Sequence, residues 1–176
     1  MLYEKLLDRL KLTKTSYKAG YLIACSLKLA LPGVIVVTGH IVVCVVTGYD
    51  QVLELNGRPI GKPGNFENAF KQLSEMSGQT VTFHSAMTVI DAKGNLQSTV
   101  VPTFIRMRNL PPEGIREYLE REKPFNCAGS AKIEKLGIAL VAECKSDDPT
   151  AIIGLPLIEL TTMLAQAGIH VLPELN

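Results

Sequence analysis

The sequence predicts an α/β protein: one domain over residues 1–176, built on a mixed β-sheet with flanking helices. Three observations lead there. The 176-residue length is enough for one full hydrophobic core. Apolar periodicity alternates between the helical and the strand repeat in an irregular order: helix, strands, helix, long hairpin, helix, strand, helix. That order argues against a regular βαβ array. Finally, the β-branched runs are punctuated by glycine and by Asn56-Gly57, a pair that closes tight hairpins.

Taken in order, Leu2, Tyr3, Leu6, Leu7 and Leu10 recur at helical spacing with charges opposite, which predicts a short amphipathic helix. Lys11–Lys18 reads as a loop, and Tyr21–Leu31 is compatible with helix or strand. Leu29–Tyr49 contains no Asp, Glu, Lys or Arg, a length that nominates a membrane-spanning helix. Pro32, Gly33, Gly39, His40 and Gly48 interrupt it, however, and V-V-T-G-H repeats as V-V-T-G-Y. Two short buried strands joined at Gly39 fit these breaks better. The second strand ends at Asp50-Gln51, ahead of the Asn56-Gly57 hairpin and Gly61-Lys62-Pro63-Gly64.

Asn65 stands at an N-cap position before Phe66, Ala69, Phe70, Leu73 and Met76, with Gly78 as the stop. Thr80–Ile90 and Leu96–Arg108 predict a long hairpin closed by Asp91–Asn95, with Pro102 at an edge or bulge. Pro111-Pro112 opens a helix whose buried face is Ile115, Tyr118 and Leu119. After the small-residue loop Phe125–Ser130, Lys132 and Glu134 alternate into an apolar strand, Leu136–Ala142. Lys145–Pro149 reads as a polar turn, and Leu157, Leu160 and Leu164 mark a last helix ended by Gly168.

The formal net charge of +1 gives no long-range attraction to nucleic acid or to an anionic membrane, so neither is an expected partner. Cys25, Cys44, Cys127 and Cys144 show no C-x-x-C spacing. With no signal peptide in view they read as reduced thiols packed in the core of a cytoplasmic protein. No zinc site is expected. A P-loop is excluded because Asn56 stands five residues before Gly61 and Pro63 follows Lys62. G-x-G-x-x-G and G-x-S-x-G are absent, and His40, His84 and His170 have no evident nucleophile partner.

Three segments remain at strand–loop junctions: Asp50-Gln51, Gly61-Lys62-Pro63 and Ser130–Glu134. Carboxylates with lysines suit metal-assisted attack of water on a phosphoanhydride, the lysines offsetting charge on the leaving group. The competing reading is a strand-end acid and solvated loop lysines.

Together these residues resemble a family. Y-D-Q-V (49–52), G-K-P-G (61–64), Ser77-Gly78 followed by T-V-T-F-H, C-A-G-S-A-K-I-E (127–134) and I-G-L-P-L (153–157) occur in the order seen in Maf-like proteins, the septum-formation family of nucleoside triphosphate pyrophosphatases. The C-A-G-S-x-K-x-E form resembles the branch acting on 7-methylguanosine triphosphate. The resemblance covers about Val45–Leu164. It implies a Maf/inosine-triphosphatase-like fold, with a twisted mixed sheet, a central cleft between two lobes and usually a homodimer. It also implies Mg²⁺- or Mn²⁺-dependent hydrolysis between the α and β phosphates. By the same resemblance Asp50 is the catalytic acid and metal ligand, Gln51 bears on base choice and Lys62 binds substrate. Glu134 marks the branch with Lys132 beside it, and Tyr3 stands at a third specificity position. The family's L-A-S-x-S-x-R-R loop has no counterpart here, Glu4 and Lys5 standing at its two arginine positions. The alternative is therefore a catalytically impaired nucleotide-binding or dimerisation module on the same fold.

Overall fold

The structure, a computed structural model, describes residues 34–38, 44–91 and 93–170, with backbone alone for those before residue 50. The expected helix at the start, with Tyr3, and the segments 11–18 and 21–31 lie outside the described residues. Six strands and three α-helices are described, in the α/β arrangement the sequence predicts. The strands are β1 (Val34–Thr38), β2 (Cys44–Leu55), β3 (Arg58–Ile60), β4 (Thr80–Ile90), β5 (Leu96–Met107) and β6 (Val141–Ser146). The helices are α1 (Phe66–Met76), α2 (Pro112–Glu122) and α3 (Leu157–Gln166). The strand order is β1-β2-β4-β5-β6, with β3 paired to β2.

Residues 36–38 and 45–48 of the repeat lie in strands as expected, but the second strand does not end at Asp50-Gln51: β2 runs on to Leu55, because pairing with β3 carries it to the Asn56-Gly57 turn. Val36 faces Val46 and Val37 faces Val45 in an antiparallel β1–β2 pair. β2–β3 and β5–β6 are antiparallel too. The β2–β3 turn is made by Asn56 and Gly57, both at positive φ, the conformation an Asn-Gly hairpin demands. No helix among the described residues is long and apolar enough to cross a membrane. Pro102 lies one residue before the β5–β6 register begins at Thr103↔Ser146, where its missing N–H costs no ladder bond to β6.

The chain divides into two compact units: Met1–Tyr49 with Met87–Thr99 and Glu159–Asn176, and Asp50–Ala86 with Val100–Ile158. In the first, Met87, Val89, Leu160, Met163 and Leu164 are buried, and Gln97 Nε2 donates to the Met163 carbonyl at 3.2 Å. The second holds the larger cluster. Leu53 and Leu55 of β2, Val81 and Phe83 of β4, Ile105 and Met107 of β5, Leu73 and Met76 of α1, and Ile115, Tyr118 and Leu119 of α2 pack together there. Alternate residues of β2 and β4 reach this cluster, as the strand period of two requires. Asn65 caps α1 as predicted, its Oδ1 accepting from Asn68 N at 2.8 Å. Arg116 of α2 lies over the Phe70 ring of α1, 4.9 Å from its centroid.

Two further expectations are corrected. Leu136–Leu140 forms a 3₁₀ turn, and the strand begins only at Val141 and runs on through Lys145 and Ser146. Apolar composition alone could not reveal this. Gly137 N and Lys135 N both donate to the Lys132 carbonyl at 3.0 Å, folding the chain back on itself. A Cβ on Gly137 would overlap the Lys132 backbone, so this reversal needs glycine. The second correction is Cys144, which is exposed and not in the core, because among the described strands β6 stands at the end of the strand order, beside β5. Cys127 is half-buried.

Candidate active site

The predicted site residues with described side chains all fall in the second unit, in two clusters. The first surrounds Gln51. Successive strand residues point to opposite faces, so Gln51 shares the core face of β2 with Leu53 and Leu55, while Asp50 shares the other with Val52 and Glu54. Gln51 Nε2 donates to Ser85 Oγ and to the Ala151 carbonyl, both at 3.0 Å, with the Ile152 carbonyl at 3.4 Å. Ser85 is fully buried and donates to the Ala151 carbonyl at 2.8 Å. Asp50 Oδ1 accepts from the Gln51 N–H at 2.9 Å, which orients the carboxylate within β2. On the Asp50 face, His84 Nε2 lies 3.0 Å from Glu54 Oε2 and is half-exposed, so this histidine is paired and not enclosed in the core.

The carbonyls that Gln51 meets belong to a turn fixed by a buried acid. Asp148, 1% exposed, accepts at Oδ1 from Thr150 N at 2.9 Å and from Thr150 Oγ1 at 2.6 Å. Its Oδ2 accepts from Ile158 N at 2.7 Å, and Thr150 Oγ1 accepts from Leu157 N at 2.7 Å. Asp148 and Thr150 thus satisfy open N–H groups of the first turn of α3 while shaping the 151–154 turn.

The second cluster joins the two loops that carry Lys62, Lys132 and Glu134. Gly64 N donates to the Phe125 carbonyl at 3.0 Å and Gly129 N to the Gly61 carbonyl at 3.3 Å. Gln72 of α1 ties both loops at once: its Nε2 donates to the Gly61 carbonyl at 3.1 Å, and its Oε1 accepts from Ser130 Oγ at 2.7 Å. The Phe125 ring meets Phe66 edge-on, centroids 6.5 Å apart. Gly129, at φ 66, lies against Leu53, and a Cβ there would overlap the Leu53 side chain. That contact connects the second cluster to β2, two residues beyond Gln51.

Tyr118 pins the loop from beneath. Its hydroxyl donates to the Ser130 carbonyl at 3.1 Å and accepts from Lys132 N at 3.0 Å. Burial, with the Glu122, Cys127 and Glu134 charges adding and the Lys132 N–H opposing, pushes the phenol up to about 12. Lys132 Nζ donates to the Glu122 carbonyl at 2.7 Å, placing its charge at the C-terminal end of α2, where a cation is favoured. Burial raises the Cys127 thiol above its ordinary value; Lys132 and Lys62 oppose this and Glu134 reinforces it. Lys62, Lys132 and Glu134 therefore all lie within electrostatic reach of one thiol. Lys62 and Glu134 are exposed.

Gln72, Ser85, Tyr118 and the Asp148–Thr150 pair were not singled out as site residues from the sequence, though two left a signal. Ser85 is a polar residue in the core register Val81, Phe83, Ser85, Met87, and Gln72 adjoins the apolar face of α1.

A carboxylate within a strand, a loop lysine, and a second loop bearing lysine and glutamate that Gln72 ties to the first are groups suited to an anionic ligand on an α/β fold. The chain belongs to the Maf-like protein family, whose model matches residues 21–167. It is 51% identical over 128 residues to a 7-methyl-GTP pyrophosphatase of Thiobacillus denitrificans, covering 72% of this chain and 64% of the relative. Proteins of the same name from Cupriavidus pinatubonensis and Bordetella pertussis are 52% and 54% identical over 124 and 125 residues. These matches cover 70% and 71% of this chain and 62% of each relative. The chain thus spans a little under two thirds of the length of these relatives.

Proposed function

We propose that the chain is a nucleoside triphosphate pyrophosphatase that hydrolyses the α–β phosphoanhydride of 7-methyl-GTP to the nucleoside monophosphate and pyrophosphate. The observation that carries the reading is the joining of G-K-P-G to C-A-G-S-A-K-I-E through Gln72, in a chain about half identical to relatives named for that activity. Asp50 takes the proton from the attacking water at the α phosphate. Lys62 offsets charge on the triphosphate, worth more as pyrophosphate departs. Glu134 accepts from the N1 and N2 donors of the methylated guanine, whose positive ring a carboxylate favours. Lys132 holds the Glu134 turn on α2, and Gln51 contributes to base choice. Tyr3, outside the described residues, completes the proposed specificity set.

A divalent cation fits this donor set in one way. Among the described residues no three His, Cys, Asp or Glu side chains gather as a ready-made cage. Mg²⁺ commonly rests on one or two carboxylates with phosphate oxygens and water. Asp50 is the residue that would hold it, and bound Mg²⁺ or Mn²⁺ would supply neutralisation of phosphate charge. The proposal includes a cytoplasmic homodimer, on the strength of the family resemblance.

Pyrophosphate release from a panel of nucleoside triphosphates with Mg²⁺ or Mn²⁺ tests the reading. 7-methyl-GTP is expected to be the preferred substrate. Asp50→Asn keeps the shape and removes the charge, and is expected to lower release by about 10²–10⁴-fold with folding intact. Activity of the variant within about threefold of wild type, well under 1 kcal/mol of barrier, would remove Asp50 from the mechanism.

A further inference from the structure

Two backbone carbonyls favour one orientation of the Gln51 amide. Three oxygens surround Nε2: the Ala151 and Ile152 carbonyls, which can only accept, and Ser85 Oγ. The Ser85 proton is already given to the Ala151 carbonyl at 2.8 Å, so toward Gln51 this hydroxyl too is an acceptor. The turned amide would set Oε1 against the two carbonyl oxygens with no proton between them, and only the Ser85 hydroxyl could turn to meet it. The Ala151 carbonyl is itself held, since Gly154 N donates to it at 3.0 Å, and Ala151 N donates to the Asp148 carbonyl at 3.1 Å.

We propose that Ser85 is a positioning residue that, together with the Ala151 carbonyl, holds the Gln51 amide with its N–H groups inward, leaving Oε1 to read a hydrogen-bond donor of the nucleotide. This rests on the pyrophosphatase reading and deepens it, because it fixes Gln51 as an acceptor and never a donor toward substrate. Ser85 does not touch substrate; it acts through Gln51. The matching ligand chemistry is a nucleobase presenting an N–H where Gln51 meets it, and a base offering a bare ring nitrogen there is rejected because two acceptors face each other.

A double-mutant cycle on the full chain tests the lock. Ser85→Ala is expected to lower kcat/KM for 7-methyl-GTP about five- to tenfold, the loss of one net hydrogen bond of orientation. In a Gln51→Ala background the same change is expected to do almost nothing further, because the group it positions is gone. Losses that multiply independently overturn the proposal, since a general packing role would act in either background. A second arm needs no substrate. The side-chain amide resonances of Gln51 in the ¹⁵N-labelled protein, identified by their disappearance in Gln51→Ala, are expected to shift and exchange faster in Ser85→Ala. Unmoved resonances in a folded variant overturn the lock. A wild-type chain releasing no pyrophosphate from any nucleotide would instead sink the enzymatic reading, and the amide arm would then decide the lock alone.

Discussion

Replacing Tyr118 by phenylalanine removes one oxygen from the centre of the second cluster, and the structure sets the size of the effect. The residue is 3% exposed, and its hydroxyl serves the Ser130 carbonyl and the Lys132 N–H together. Ser130 is fully buried, so its carbonyl has no ready access to water once the donor is lost. Leaving such a group unsatisfied costs about 1–3 kcal/mol, and the half-buried Lys132 N–H loses a smaller amount. Tyr118→Phe is therefore expected to destabilise the chain by about 2–3 kcal/mol, or roughly 4–12 °C in Tm for a chain of this size. Urea and thermal melts near neutral pH measure it.

The alkaline side supplies a separate check on the same hydroxyl. The folded phenol lies at about 12 against an ordinary value of 10.0, so the folded state binds the proton more tightly than the unfolded one. The associated stability is complete below pH 10 and is lost as pH rises through 12, about 2–3 kcal/mol in all. Wild type should show this loss between pH 10 and 12, and Tyr118→Phe should show a correspondingly shallower one. A variant within about 0.5 kcal/mol of wild type, with the same alkaline slope, would refute the view that this hydroxyl holds the loop.

Three further substitutions probe the loops. Gly129→Ala forces a side chain into Leu53 at a left-handed φ of 66, and is expected to cost about 2–4 kcal/mol in denaturant melts. Gly61→Ala, whose added Cβ meets nothing within 4 Å, serves as the near-neutral control, and equal costs would sink the packing argument. Glu134→Gln should erode the preference for 7-methyl-GTP over UTP, read as the ratio of kcat/KM; an unchanged ratio would make Glu134 a surface residue only.

Much of the fold was legible because each element carried a local signal. Asn65 as a cap, Pro112 in the first turn of α2 and Asn56-Gly57 at the β2–β3 turn act through their own backbone geometry, so sequence suffices to find them. The same holds for the long β4–β5 hairpin, where alternation and the Asp91–Asn95 loop agree. Leu136–Ala142 misled because an apolar run carries no period of its own. What made it a turn was the Lys132 carbonyl accepting from two following N–H groups, a contact that composition does not encode.

The site divides along the same line. The sequence by itself determined which motifs exist, their order and the family they belong to, since D-Q, G-K-P-G and C-A-G-S-A-K-I-E are contiguous strings. Only the tertiary structure decided what stands between them. Gln72 reaches from a helix to both loops, Tyr118 supports the second from another helix, and Ser85 meets Gln51 across 34 residues of chain. Asp148 read as part of a polar turn, yet it is buried and holds the start of α3. These partners are set by which backbone groups folding leaves without water. A hydrogen bond of that kind depends on distance in space, and sequence separation carries no trace of it.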